Sequence, residues 1–226
     1  MDGSERLQLT FPPVRAYEPR WSPNGKKIAF QGMTPGQPWK MYLISTDGGE
    51  PEEVAVGIGD VGWSPEGTSL IFHSGMADLL STSPRAIHLL DLKTRQISTV
   101  PGSEGLYSPR WSPDGRYIAA LRVASEILLM LDLRTKQWTE LTKIAVDFPI
   151  WSRDSKYIYF DSAENAPNLY RVRIVDKRLE KVASLRGIRL APVLGGLLNG
   201  LASDDSPLVL RDVGNQEIFA LDLELP

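Results

Sequence analysis

Three carboxylates and two arginines stand just ahead of four tryptophans: Glu18 and Arg20 before Trp21, Asp60 before Trp63, Arg110 before Trp111, and Asp147 before Trp151. Carboxylates carried on neighbouring strands around one axis suit two kinds of chemistry. A pair at fixed separation across a glycosidic bond works as acid and base, and a ring of oxygen ligands holds a calcium ion. On the first option, Glu18, Asp60 and Asp147 are the catalytic carboxylates of a five-bladed glycan hydrolase. The set is incomplete, however, because the equivalent positions in the third and fourth copies are Ser108 and Phe148. The favoured reading is therefore solvated or paired charge lining a polar channel, with no catalytic residue, metal or cofactor assigned.

Other reactive groups are sparse. His73 and His88 have no partner at metal-ligand spacing and are read as structural. Cysteine is absent, which excludes disulfides, thiolate metal sites and a cysteine nucleophile. No Gly-x-Ser-x-Gly elbow occurs, so a peptidase companion domain is not expected in this chain. Leu194-Gly195-Gly196-Leu197 lacks the lysine and the strand-to-helix setting of a phosphate loop.

The elements that must position these residues form a repeat. Arg20-Trp21-Ser22-Pro23-Asn24-Gly25 recurs as Gly62-Trp63-Ser64-Pro65-Glu66-Gly67, as Arg110-Trp111-Ser112-Pro113-Asp114-Gly115, and in weaker form as Ile150-Trp151-Ser152-Arg153-Asp154-Ser155. A period of about 40–50 residues marks propeller blades or helical arrays. The local chemistry chooses strands: proline and glycine set a tight turn, and β-rich runs such as Lys27-Ile28-Ala29-Phe30 and Tyr157-Ile158-Tyr159-Phe160 follow at once. Asp91-Leu92-Lys93-Thr94-Arg95-Gln96 and Asp132-Leu133-Arg134-Thr135-Lys136-Gln137 are near duplicates at the ends of third strands.

A fifth unit, centred on Leu201, has lost its tryptophan and ends one strand short. Leu7-Gln8-Leu9-Thr10 is expected to supply that strand. The fold expected is all-β: a single domain over residues 1–226, a β-propeller of four-stranded blades. Five blades are expected, closed by pairing the N-terminal strand with the last blade. The repeated tryptophans are expected to pack between blades.

With 42% hydrophobic and 23% charged residues among 226, the chain has enough apolar content for one buried core. A net charge of −3 and the lack of any long basic run argue against nucleic acid as a partner of this segment. No signal-like or membrane-length apolar run is present, so a soluble segment is expected, in the bacterial cytoplasm or periplasm.

With Trp-Ser-Pro-Asp-Gly-x-x-Ile-Ala followed by an apolar strand ending Asp-Leu, the chain resembles the TolB-like, WD-repeat-like β-propellers of bacteria. The stretch Asp204 to Gly214, with Glu217 to Asp222, resembles the C-terminal end of long bacterial sensory proteins, where such blades follow a winged-helix or kinase domain. The resemblance implies a non-catalytic module of a larger regulator that binds a protein, peptide or small ligand. Loops 32–40 and 75–86 carry Trp39, Met76, Leu79 and Leu80 as candidate partner contacts. Glu18, Arg20, Asp60, Arg110 and Asp147 are the candidate channel contacts. A structural arc of a larger ring is the third possibility; a closed ring implies a monomer and an open arc implies self-association.

Overall fold

The computed structural model describes residues 7–56, 58–74, 85–123, 125–162, 167–191 and 197–214, and among them there is no helix. Four antiparallel sheets of four strands follow one another, each with spatial order equal to chain order. The first blade is β1 (Arg15–Trp21), β2 (Lys27–Met33), β3 (Lys40–Ser45) and β4 (Glu52–Val56). The second is β5 (Ile58–Trp63), β6 (Ser69–Ser74), β7 (Ile87–Asp91) and β8 (Ile97–Thr99). The third is β9 (Leu106–Trp111), β10 (Tyr117–Arg122), β11 (Leu128–Asp132) and β12 (Gln137–Glu140). The fourth is β13 (Asp147–Trp151), β14 (Tyr157–Ser162), β15 (Asn168–Arg173) and β16 (Leu179–Ser184). A fifth sheet holds β17 (Leu198–Leu201) and β18 (Pro207–Val209).

The repeated hexapeptide builds the turn between first and second strands. Gly25, Gly67 and Gly115 take φ of 69, 70 and 75°, and Ser155 holds the same conformation at 59° where serine replaces glycine. The serine after each tryptophan is buried, and its Oγ accepts the N–H of the residue five on: Lys27, Ser69, Tyr117 and Tyr157. In three copies that hydroxyl also donates to the turn carboxylate or amide, at Asn24, Asp114 and Asp154. These serines are consumed by the turn and are no nucleophiles. The near-duplicate hexapeptides are explained in the same way. Asp91 Oδ1 accepts the N–H groups of Lys93 and Thr94, and Asp132 Oδ1 those of Arg134 and Thr135.

Blades pack face to face, so second and third strands are apolar on both sides. Ala29, Met41 and Leu43 of the first blade meet Val61, Leu70, Phe72 and Leu90 of the second. Ile71 and Ile87 meet Leu106, Ile118, Ala120, Leu129 and Leu131 of the third. Leu121, Leu128 and Met130 meet Trp151, Ile158, Phe160 and Val172 of the fourth. Tyr159, Leu169 and Leu185 then meet Leu198 of the fifth sheet. Fourth strands are edges and carry charge instead, as in Glu52-Glu53 and Glu180-Lys181.

Two tryptophans bridge blades as expected. Trp63 Nε1–H donates to the Arg20 carbonyl at 2.9 Å, and Trp151 Nε1–H to the Arg110 carbonyl at 3.0 Å. The closing strand differs from expectation. Leu7 to Thr10 forms no strand and has no ladder partner among the described residues. Leu9 packs instead against Ile28, Phe30 and Ile44 of the first blade, beside Val14 and Tyr42. Residues 217–222, its expected neighbours in the last blade, lie outside the described residues.

Candidate functional site

Inner strands β1, β5, β9, β13 and β17 lie side by side in chain order. In the first four of them, the residue three before the tryptophan has left-handed backbone: Glu18 (φ 48°), Asp60 (34°), Ser108 (50°) and Phe148 (39°). Strand register slips at each of these points, so each is a β-bulge. A bulge re-aims its side chain relative to the regular pleat. The bulges of the second and third blades therefore set Asp60 and Ser108 side chain to side chain.

Asp60 is the hub of the resulting polar cluster and is 4% exposed. Its Oδ2 accepts Ser108 Oγ–H at 2.7 Å and the Arg110 guanidinium at 2.8 Å, both from the third blade. Its Oδ1 accepts from Arg20 of the first blade at 3.3 Å. Burial alone would raise the Asp60 pKa. The charges of Arg110 and Arg20, with hydrogen bonds from Arg110 and Ser108, outweigh it and hold the group at about 2. Glu18 accepts from Gln31 Nε2 at 2.6 Å and is pushed upward by burial and then by Asp60. Glu18, Arg20, Asp60 and Arg110 are thus brought together on the inner strands.

Asp147 does not join them. It is half-buried on β13, and its pKa is raised by burial, then by Asp161 and Glu126. Trp39 is half-buried, and its ring packs on Tyr17 with centroids 5.0 Å apart. Met76, Leu79 and Leu80 lie outside the described residues. His88 pairs its Nδ1 with Thr99 Oγ1 at 3.1 Å and leans on Phe72, a structural role.

One recurrence was missed by the sequence reading, which took His73 alone: the residue ten after each tryptophan, Gln31, His73, Leu121 and Asp161. All four are buried. Two of them accept backbone N–H groups at the bulge of the next blade. His73 Nδ1 accepts Ser108 N–H at 3.4 Å, and Asp161 accepts the N–H groups of Leu197 and Leu198 at 3.0 and 3.1 Å. The signal was a polar residue recurring inside otherwise apolar second strands.

His73 is 1% exposed, and its Nε2 has no hydrogen-bond partner among the described residues. Burial brings its pKa down to about 4; Asp60 opposes this, while Arg85, Arg110 and His88 add to it. Because the folded pKa lies below the unfolded value, the unfolded chain takes up this proton first as pH falls. Stability tied to His73 is then full above about pH 6.5 and lost down to about pH 4, on the order of 3 kcal/mol. Glu18, Asp147 and Asp161, shifted upward, act in the opposite sense. Urea melts of the protein and of His73→Gln across that window should therefore diverge, the variant losing the steeper slope.

Asp60, Ser108 and His73 adjoin one another but form no nucleophile with its base. Ser108 is 3% exposed, its hydroxyl donates to a carboxylate, and the imidazole accepts from backbone rather than from Oγ. A glycosidic acid–base pair is not formed either, because Asp60 is an ion-paired anion remote from the role of proton donor. No cluster of three His, Asp or Glu side chains among the described residues is close enough to hold a metal ion.

No protein-family profile matches the chain. Among solved structures it superposes on TolB from Acinetobacter baumannii with a TM-score of 0.63 and 23% identity, covering 76% of this chain and 44% of that one. The β-propeller domain of the Trilobed protease from Pyrococcus furiosus superposes with a TM-score of 0.55 and 14% identity, covering 80% of this chain and 60% of that one. The fold is a TolB-like β-propeller.

Curated relatives point the chemistry elsewhere than expected. An uncharacterized peptidase of Bacillus subtilis, YuxL, is 30% identical over 154 residues, which is 66% of this chain and 22% of that protein. Dipeptidyl-peptidase 5 of Porphyromonas gingivalis is 30% identical over 157 residues, 59% of this chain and 22% of that protein. A puromycin hydrolase structure covers 89% of this propeller at a TM-score of 0.62 and 16% identity, the chain spanning 34% of it. The two curated likenesses overturn both the non-catalytic recognition module and the glycan hydrolase. The chain spans less than a quarter of either peptidase.

Proposed function

We propose that this propeller is the substrate-selecting part of a peptidase. The observation that carries the reading is the 30% identity shared with two proteins named as peptidases, each over more than half of the chain. The inner-strand cluster fits the role. Arg20 keeps 34% of its side chain exposed and Glu18 is half-buried, so one cation and one anion of the inner strands stay partly open to a peptide that offers the opposite charges. Asp60 holds Arg20 in place while being too buried to contact substrate itself. Peptide-bond cleavage needs an activated nucleophile and oxyanion donors. In this proposal a hydrolase unit outside these 226 residues supplies them, and the blades admit and orient the peptide. The likeness of Asp204 to Gly214 to the ends of sensory regulators concerns where such a propeller sits in a longer chain, and the same assay bears on it.

The test is hydrolysis of a panel of chromogenic di- and tripeptides by the product of the complete natural gene. Turnover is expected, with KM raised about tenfold and kcat little changed in Arg20→Ala, as for loss of uniform binding. Arg110 stays on Asp60 in that variant, so the fold persists. Absence of peptide hydrolysis, or a KM indifferent to Arg20, overturns the reading.

A further inference from the structure

Ser108 is held from two sides. Its Oγ–H donates to Asp60 Oδ2 at 2.7 Å, and its N–H donates to His73 Nδ1 at 3.4 Å, on β6 of the preceding blade. All three residues are buried. Asp60 in turn accepts from Arg20, so one line of hydrogen bonds runs from the imidazole through the bulge to the guanidinium. The fold does not demand a histidine there. Among its counterparts ten residues after a tryptophan, Asp161 accepts backbone N–H groups in the same way, Gln31 turns to Glu18, and Leu121 has no acceptor in its side chain.

The line sets the form of the imidazole. A ring nitrogen that accepts an N–H carries a lone pair, so Nδ1 is bare and the proton of the neutral ring sits on Nε2. A second proton would go to Nδ1 and set donor against donor. The Ser108 peptide would then turn away and draw its hydroxyl off Asp60. The charged and titratable groups facing the ring are Asp60 of β5, Arg85 ahead of β7, His88 of β7 and Arg110 of β9, with the Tyr107 ring of β9 edge-on at 6.0 Å. Arg85 and Arg110 are cations against one anion, and burial acts with them to keep the ring neutral.

We propose that His73 is a positioning residue for Arg20: its neutral imidazole fixes the Ser108 bulge, the bulge fixes Asp60, and Asp60 fixes the guanidinium that meets the peptide. The inference rests on the peptidase reading for the peptide, and not for the line of bonds.

The test is KM and kcat for charged peptides cleaved by the product of the complete natural gene, between about pH 7.5 and about pH 4. His73→Leu removes the acceptor at similar size. KM is expected to rise at least about fivefold with kcat little changed. Added to Arg20→Ala, the same substitution should raise KM no further, because the residue being positioned is gone. His73→Asn sets an amide oxygen in the place of Nδ1 and should restore KM to within about twofold. It carries no titrating ring, so part of the KM increase that the parent protein shows as pH falls towards about 4 should be missing from it. Glu18 and Asp147 titrate in both proteins, which leaves the difference to His73. A folded His73→Leu with unchanged KM, a full further loss in the double variant, or the same pH profile for parent and His73→Asn overturns the proposal. Should His73→Leu fail to fold, the His73→Asn profile decides alone. If no peptide is cleaved, the peptidase reading falls by itself, and a urea double-mutant cycle of His73→Leu with Arg20→Ala takes over. Coupling of at least about threefold in the unfolding equilibrium supports the line of bonds, and additivity overturns it.

Discussion

Asp60→Asn is expected to destabilise the fold by about 3–5 kcal/mol, the cost of breaking a buried ion pair by removing one partner. The substitution keeps the shape and a group able to accept from Ser108, so only the charge is lost. Arg110, 14% exposed, and Arg20, 34% exposed, then face each other across a neutral amide. Arg20 already has its pKa lowered by burial and then by Arg110, and Asp60 is what offsets that repulsion. Three blades meet at this one carboxylate, so the loss loosens two interfaces together. Urea denaturation checks the magnitude. A matched control is Asp132→Asn, whose partner Arg116 is 47% exposed; that change should cost under about 1 kcal/mol. The acid limb gives an independent reading. With a folded pKa near 2, below its unfolded value, Asp60 contributes fully above about pH 4 and loses its contribution as pH falls towards 2. That limb should vanish in Asp60→Asn. Equal costs for the two variants would show that the cluster is ordinary surface charge.

Why this cluster was half legible in the sequence is a matter of distance along the chain. The turns are local: Ser22, Ser112 and Ser152 bond partners two and five residues away, so Trp-Ser-Pro-Asp-Gly announces strand, turn and strand by itself. Blade order and four strands per blade followed from repeating that unit. Glu18, Asp60 and Ser108 shared an offset from tryptophan and were aligned correctly, but the offset hides a bulge that regular alternation does not foretell. Pairing of Asp60 with Arg20 and Arg110 spans 40 to 50 residues, and nothing within one repeat states it. Asp161 escaped notice, and His73 was read only as a structural histidine, because one polar residue in an apolar strand reads as an accident until the next blade's N–H is seen against it. The expected closing strand failed for a different reason. Leu7-Gln8-Leu9-Thr10 has the alternation of a strand, yet Leu9 finds its apolar partners by lying on the first blade without a ladder. Chemistry was the least legible part, since the hexapeptide specifies a scaffold that TolB and peptidase propellers share.

The same hexapeptide yields the second large effect. Trp151→Ala is expected to cost about 3–5 kcal/mol, as for a large aromatic removed from a core. Its ring lies among Ile158, Phe160, Met130 and Leu128, stacks on Tyr117 with centroids 6.1 Å apart, and donates to Arg110. Trp21→Ala removes the identical side chain from the identical place in the repeat. At 63% exposure, it should change stability by no more than about 0.5 kcal/mol. The contrast separates two causes that sequence alone confounds. If the tryptophan served its own turn, both substitutions would cost alike, because both turns are built alike. If it fills the gap to the blade ahead, only Trp151 has a gap to fill. Trp151→Phe divides the effect further, keeping most of the ring while losing the indole bond, for about 1–2 kcal/mol. Arg110 links this result to the first, since its carbonyl holds Trp151 and its guanidinium holds Asp60. Asp60→Asn and Trp151→Ala in one chain should therefore cost less than the sum of the two, the residue between them being released only once.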